Sequence, residues 1–390
     1  MRAGTTHRQL KVAVLKRPIH WPLLMVFFLV AFVVAIYFFP YHLSAYALLK
    51  RFVSPQANDP LLRAEVHKVR TEDISFAVAG QAVHGRLYRP TGVAHQAGMV
   101  AVHGIHHLGM DEPRLVSFAR AVAGSGLTVL TPQVDSLADY HVDGSSIPMI
   151  GEAAAWLDNR LGSHKVTVTG ISFAGGLALL AAADPRYASH MRVLVLMGAY
   201  EDLARVSRFL ATGEQELPSG QKEPHPAHDY GASVFVYAHL NQFFPAGDLE
   251  VAHEALRDWL WEEPEKVEPL LKKLSPASQA TMDALLNRRI GEVRPQILNA
   301  IRKDEVELAA LSPRGHLENL RVAVYILHGS ADTIIPPAES RWLAQDLPRE
   351  EVRDVLITGA FSHVDPEKDA SVWEELRLVH FIAGVLRAAN

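Results

Sequence analysis

The sequence predicts an α/β protein: a mostly parallel, doubly wound sheet, broken by a helical insertion and preceded by one membrane-spanning helix. Three observations carry this. Between residues 98 and 200, short apolar or β-branched runs alternate with helical patterns of about 10–15 residues, which implies βαβ units covered on both faces. The alternation stops at Tyr200 and resumes only at Val322, so residues 201–318 form an insertion far longer than ordinary α/β connections. Finally, Trp21 to Phe39 runs without a single charged residue.

That uncharged run is long enough, at about 1.5 Å per residue, to cross a hydrocarbon core of roughly 30 Å. Trp21, Tyr37 and Tyr41 sit near its ends, where amphipathic rings favour the interface. Residues 1–20 carry Arg2, Arg8, Lys11, Lys16 and Arg17 and no acidic residue, against Lys50 and Arg51 just beyond the span. The bias predicts a single-pass protein with its N-terminus in the cytoplasm and its folded part outside. Ser44-Ala45-Tyr46-Ala47 loosely matches a cleavage site, but the apolar stretch exceeds the roughly 7–15 residues of a signal peptide, so an uncleaved signal anchor is expected. The expected divisions are therefore a basic segment 1–20, a transmembrane helix 21–39 and a linker 40–69. A core of 70–200 and 319–390 follows, with a helical cap at 201–318.

Composition narrows the function. With 390 residues, 49% hydrophobic, the chain can bury a large core. Its net charge of −5 and the absence of a basic patch beyond the N-terminus argue against a nucleic-acid partner. No cysteine is present, which excludes thiol catalysis, zinc ribbons and disulfide scaffolds. The oligomeric state is not written in the sequence.

Strands are expected at 74–78 and 83–88, the second closed by Pro90 and Gly92, and at 98–102, running into His103-Gly104. A helix at 113–123, a strand at 127–131 and a helix at 148–161 follow. Strands at 166–169 and 193–197 flank a small-residue helix that starts at Phe173. In the insertion, helices are expected at 204–210, 233–244, 250–261, 267–274 and 277–287. The remainder reads as strand 322–327, helix 338–347, strand 352–357 and a last helix from Pro366 to Ala388, with Asp365 and Pro366 as N-cap and first-turn pair.

Gly170-Ile171-Ser172-Phe173-Ala174 lies between a β-branched strand and a helix, too tight for an ordinary connection. A serine at such a turn is exposed above the sheet edge beside a helix N-terminus. Serine becomes a nucleophile when a base takes its proton and a third group orients that base. In a parallel sheet these groups project from the C-terminal ends of strands. Asp332 follows strand 322–327 within His328-Gly-Ser-Ala-Asp332, and His363 follows strand 352–357 within Gly359-Ala-Phe-Ser-His363. Asp202, after strand 193–197, is the alternative acid. His103 and His328 are expected to pack and hydrogen-bond loops. His225, His228 and Asp229 resemble a ligand cluster only loosely, so no metal site is expected. Phe235, Phe243, Phe244, Trp259 and Trp261 are expected to pack within the cap.

The elbow at Gly170–Ala174, the strand-end His103-Gly104, the His328-Gly-x-x-Asp332 segment and Phe361-Ser-His363 together resemble the α/β-hydrolase superfamily across most of residues 70–390. The resemblance implies that Ser172 attacks an acyl carbonyl, His363 is the general acid/base and Asp332 orients it. The backbone N–H groups of Phe173 and Ile105 would form the oxyanion hole. Ala174 stands where the family motif usually has glycine, and no Gly-Gly pair follows His103. His106 and His107 beside that loop are possible pocket-lining residues. The implied activity is cofactor-free hydrolysis of a carboxylic ester with a small or medium acyl substrate. An amidase, peptidase or thioesterase would use the same triad, and a non-catalytic binding protein would have lost one of its members.

Overall fold

The computed structural model describes residues 21–54, 67–78, 80–93, 97–361 and 371–390; within 21–38, side chains are described only at Met25, Val26, Phe28 and Leu29. Contacts divide the chain into two units, Met1–Pro40 and Tyr41–Asn390. In chain order, α1 (Trp21–Val53) is followed by β1 (Val69–Val78), β2 (Gln81–Pro90), β3 (Gly98–Val102) and α2 (Pro113–Gly124). Then come β4 (Thr128–Pro132), α3 (Asp135–Ala138), α4 (Ser146–Arg160), β5 (Val166–Ile171), α5 (Phe173–Ala183), α6 (Pro185–Ala188) and β6 (Met191–Met197). The insertion contains α7 (Leu203–Thr212), the hairpin β7 (Glu214–Glu216) and β8 (Lys222–Pro224), α8 (Asp229–Ala238) and α9 (Leu249–Leu260). It continues with α10 (Pro264–Leu271), α11 (Pro276–Leu286), α12 (Ile290–Lys303) and α13 (Glu305–Ala310). The chain closes with β9 (Ala323–Gly329), α14 (Ala338–Asp346), β10 (Val352–Thr358) and α15 (Val372–Ala389).

Eight strands form one sheet in the order β1-β2-β4-β3-β5-β6-β9-β10, parallel from β4 to β10 and antiparallel at β1–β2 and β2–β4. Every residue of β3, β4 and β5 is buried, as strands covered on both faces require. Alternate side chains feed two cores. Val100, Val102, Val168, Leu194 and Leu196 join α4, α5 and the insertion on one face. Met99, Ala101, Val193, Val195 and Met197 join α2 and α15 on the other. Parallel connections bring the ends of β3, β5, β6, β9 and β10 to one edge, where the site residues were expected.

Three expectations change. The segment expected as a linker from residue 40 is helical to Val53, because Ala45, Leu48 and Leu49 bury an apolar stripe in the second core. Lys50 pairs with Glu375 at 2.7 Å and His42 meets His380 at 3.0 Å, fixing this stretch against α15. The insertion holds more than the expected helices: the β7–β8 hairpin, α12 and α13 add to it. Pro295 inside α12 is the discouraging residue, yet it lies on the exposed face while Val293, Ile297 and Ile301 are buried. The last helix starts at Val372 behind a capping box of Ser371 and Glu374. The expected Asp365–Pro366 start lies outside the described residues, as does the basic segment 1–20. Among the described residues no helix is long and apolar enough to cross a membrane.

Candidate active site

The turn after β5 is strained. Ser172 has φ +57° and ψ −129°, a conformation that an L side chain rarely adopts. Its neighbours explain how the turn closes. A Cβ on Gly170 would lie 2.6 Å from Gly175 Cα, one on Gly175 2.5 Å from Ala199 Cβ, and one on Gly176 2.3 Å from the Tyr200 ring. The glycines that matter are thus Gly170, Gly175 and Gly176, and Ala174 at the motif's usual glycine position is accommodated with 0% exposure. The Ser172 N–H donates to Met197 O at 2.7 Å, tying the elbow to the end of β6.

Ser172 borders a cavity of about 240 Å³, together with Gly104, Ile105, Phe173, Tyr230 of α8 and Ile334. Two backbone donors stand beside it. Phe173 opens α5, so its N–H has no intrahelical partner, and Ile105 follows the end of β3. Neither N–H meets an acceptor among the described residues. The α5 N-terminus adds a positive partial charge at the same place.

His103 shapes the second donor. Its ring is buried, accepts the Val134 N–H at Nε2 (3.0 Å) and donates from Nδ1 to Gly104 O (2.7 Å). The Gly104 C=O and the Ile105 N–H belong to one planar peptide, so holding the first fixes the direction of the second. Burial pushes the imidazole down to about 4, which keeps it neutral and preserves this tautomer. Gly104 needs to be bare: its Cβ would meet Ser172 Cβ at 3.1 Å.

Asp332 is fully buried three residues beyond β9. Its Oδ1 accepts the Ile334 and Ile335 N–H groups at 2.8 and 3.1 Å, and its Oδ2 lies 3.4 Å from His328 Nε2. His328 in turn meets Ser340 Oγ and Ile335 O, a loop-holding role. The cap grips the same loop: His225 Nε2 donates to Asp332 O at 2.8 Å and the His228 N–H donates to Thr333 O at 2.8 Å. His228 also caps α8, so these residues fasten the insertion rather than gather a ligand. Among the described residues no group of side chains could hold a metal ion. His363 lies outside the described residues; Ala360 and Phe361, the last described before it, are buried at the end of β10.

Asp202, the alternative acid, is buried behind β6. Its Oδ1 caps α7 through Arg205 N–H (3.0 Å) and its Oδ2 accepts from Arg314 (2.9 Å). Beside it, buried Arg205 bonds Glu339 at 2.6 Å and Glu201 at 2.7 Å and lies over Trp342. This cluster fastens the first cap helix to α14.

Of the expected lining residues, His106 borders the cavity, with its ring stacked on His107. His107 does not border it; that ring is held between His106 and Trp261. Sequence reading missed Glu112 and Arg114, paired at 2.6 Å at the same cavity, and Tyr230. Glu112 caps α2 immediately before Pro113, an N-cap signal visible in the sequence.

No family model and no curated protein matches the chain. Solved structures similar to it include the 2,6-dihydroxy-pseudo-oxynicotine hydrolase, at 16% identity and TM-score 0.44 over 84% of this chain and 70% of that one. An acylaminoacyl peptidase from Pyrococcus horikoshii follows at 12% and 0.46, over 84% of this chain and only 42% of the peptidase. An esterase from Pyrobaculum calidifontis stands at 17% and 0.45, over 95% and 99%. At these scores the likenesses bear on neither substrate nor reaction, and the architecture is read from this chain itself. The mostly parallel sheet, with a strained serine turn behind β5 and an acidic loop behind β9, has the arrangement expected of an α/β-hydrolase fold.

Proposed function

We propose that the protein is a serine hydrolase that cleaves carboxylic esters through an acyl-enzyme. The observation that carries this reading is Ser172, held at φ +57° on a cavity of about 240 Å³ and flanked by the N–H groups of Phe173 and Ile105, which meet no acceptor among the described residues. Such strain persists where the surroundings impose it and is concentrated at functional sites.

In this mechanism His363 removes the hydroxyl proton as Ser172 Oγ attacks the carbonyl carbon. The carbonyl oxygen becomes an oxyanion that accepts from Phe173 and Ile105, donors worth a few kcal/mol each in comparable sites. His363 returns the proton to the leaving oxygen, the alcohol departs, and water repeats the sequence on the acyl-enzyme. Asp332 orients the imidazole. A largely apolar cavity fits an acyl group, and the same machinery would serve an amide or thioester. The uncharged run 21–39 acts in this reading as a signal anchor that leaves the catalytic body on the extracytoplasmic side.

A fluorophosphonate probe should label the wild type and not Ser172→Ala, and p-nitrophenyl esters should be hydrolysed faster than the matching anilides. Labelling of the alanine variant would remove Ser172 from the nucleophile's role. An alkaline phosphatase fused to the C-terminus should be active; an inactive fusion refutes the topology.

A further inference from the structure

A second cavity, of about 60 Å³, adjoins the first, and Phe52, Phe118 and Met197 border both. Phe52 comes from the end of α1 and Phe118 from α2; their rings meet edge-to-face at 5.7 Å and form the partition between the two spaces. Beyond the partition the walls are Leu48 and Leu49 of α1, Val122 of α2, Val195 of β6, and Leu378 and Phe381 of α15. Among the described residues one hydroxyl borders this chamber, that of Thr169, and it is directed to Met99 Sδ at 3.3 Å. A water held there would need two to four polar partners, so the described walls suit an apolar guest.

The other space beside the elbow is different. A cavity of about 130 Å³ under the cap shares Ile105, Phe173 and Val234 with the first, but is also bordered by His141, Asp143, Ser207, His239 and Glu307. The cavity that Ser172 borders therefore adjoins a wholly apolar chamber on the α1–α15 side and, on the cap side, a mainly apolar one that also carries polar groups. The hydrocarbon chain of an acyl group fits the chamber that has no polar lining.

We propose that the acyl chain of the substrate passes between Phe52 and Phe118 into the α1–α15 chamber, which makes residues 48–52 part of the specificity site. This rests on the serine hydrolase reading above. The preferred substrate class is an ester of a medium-chain aliphatic acid. Each methylene that enters the chamber contributes about fourfold to kcat/KM, until the chamber is full.

The test measures kcat/KM for p-nitrophenyl esters from acetate to decanoate on the full-length chain. The wild type should show a rise with chain length followed by a plateau or fall. Val122→Phe, which fills the chamber, should lower the octanoate-to-acetate ratio at least tenfold. Phe118→Ala, which opens the partition, should move the plateau to longer chains. Because filling a core can unfold it, circular dichroism accompanies each variant. The wild type is also tested alone: alkyl fluorophosphonates should label it faster as the alkyl chain lengthens. A flat chain-length profile in the wild type, or an unchanged ratio in folded Val122→Phe with Ser172 still labelled, overturns the chamber and leaves the hydrolase intact. Absence of any labelling overturns the hydrolase reading and this one with it.

Discussion

Replacing Ser172 by glycine separates what the elbow costs in stability from what it does. With φ +57° and ψ −129°, the residue occupies a region that is essentially reserved for glycine, at a cost of about 1–3 kcal/mol. Glycine removes that strain but gives the unfolded chain more freedom, which offsets about 0.4–1 kcal/mol. The Ser172 side chain makes no hydrogen bond with any described residue that would be lost. Ser172→Gly should therefore be about 0.5–2 kcal/mol more stable than wild type. Ser172→Ala keeps the Cβ and the strain, and should sit close to wild type. For a folded body of about 350 residues the unfolding entropy is large, so the shift in Tm is only about 1–3 °C. Calorimetry should resolve it, with urea midpoints as the independent measure. Both variants should be inactive towards p-nitrophenyl esters. If glycine and alanine have equal stability, the turn stores no strain and the inference from strain to function loses its basis.

Two further outcomes follow from buried charge. The His103 imidazole is held near 4, against an ordinary value of 6.5, so the unfolded chain takes up a proton between these pH values that the folded chain refuses. Stability should fall by about 3 kcal/mol as pH drops from 6.5 to 4 through this residue, and His103→Gln should flatten that slope in urea melts at stepped pH; an unaltered slope would show that His103 is not the group. Arg205→Met should destabilise the protein by about 3–5 kcal/mol, because Glu201 and Glu339, both 0% exposed, lose their shared cation. The readout is the urea midpoint, and a loss under 1 kcal/mol would mean that the carboxylates find protons or water at little cost.

The sheet was legible because its signals are local. Strands buried on both faces, such as Val166–Ile171, must be apolar or β-branched over their whole length, and the elbow needs small residues within seven positions. The strand-end placement of Ser172 and Asp332 followed from the alternation alone. The longer insertion helix α12 was not legible, because Pro295 discourages a helix reading while its position on the solvent face makes it tolerable. Asp202 and Asp332 both follow strands, and local sequence does not separate them. Their partners differ: Arg205 and Arg314 take both oxygens of the first, whereas Oδ1 of the second accepts the Ile334 and Ile335 N–H groups in a loop that the cap holds by its backbone.

The largest gap concerned where the substrate's identity is written. The sequence directs attention to the insertion, since a long excursion over the sheet edge is the usual place for specificity. The stretch 41–53 read as a linker because its helical stripe has no visible partner nearby in the chain. Its partner is α15, more than three hundred residues away, met through Lys50–Glu375 and His42–His380. In that stretch Phe52 meets Phe118 edge-to-face at 5.7 Å, and both border the cavity that Ser172 lines. Phe52, in the stretch 41–53, thus borders the same cavity as Ser172. On the proposed reading residues 48–52 belong to the acyl-selecting wall, so a truncation that removes residues 1–53 would also remove part of the chain-length filter.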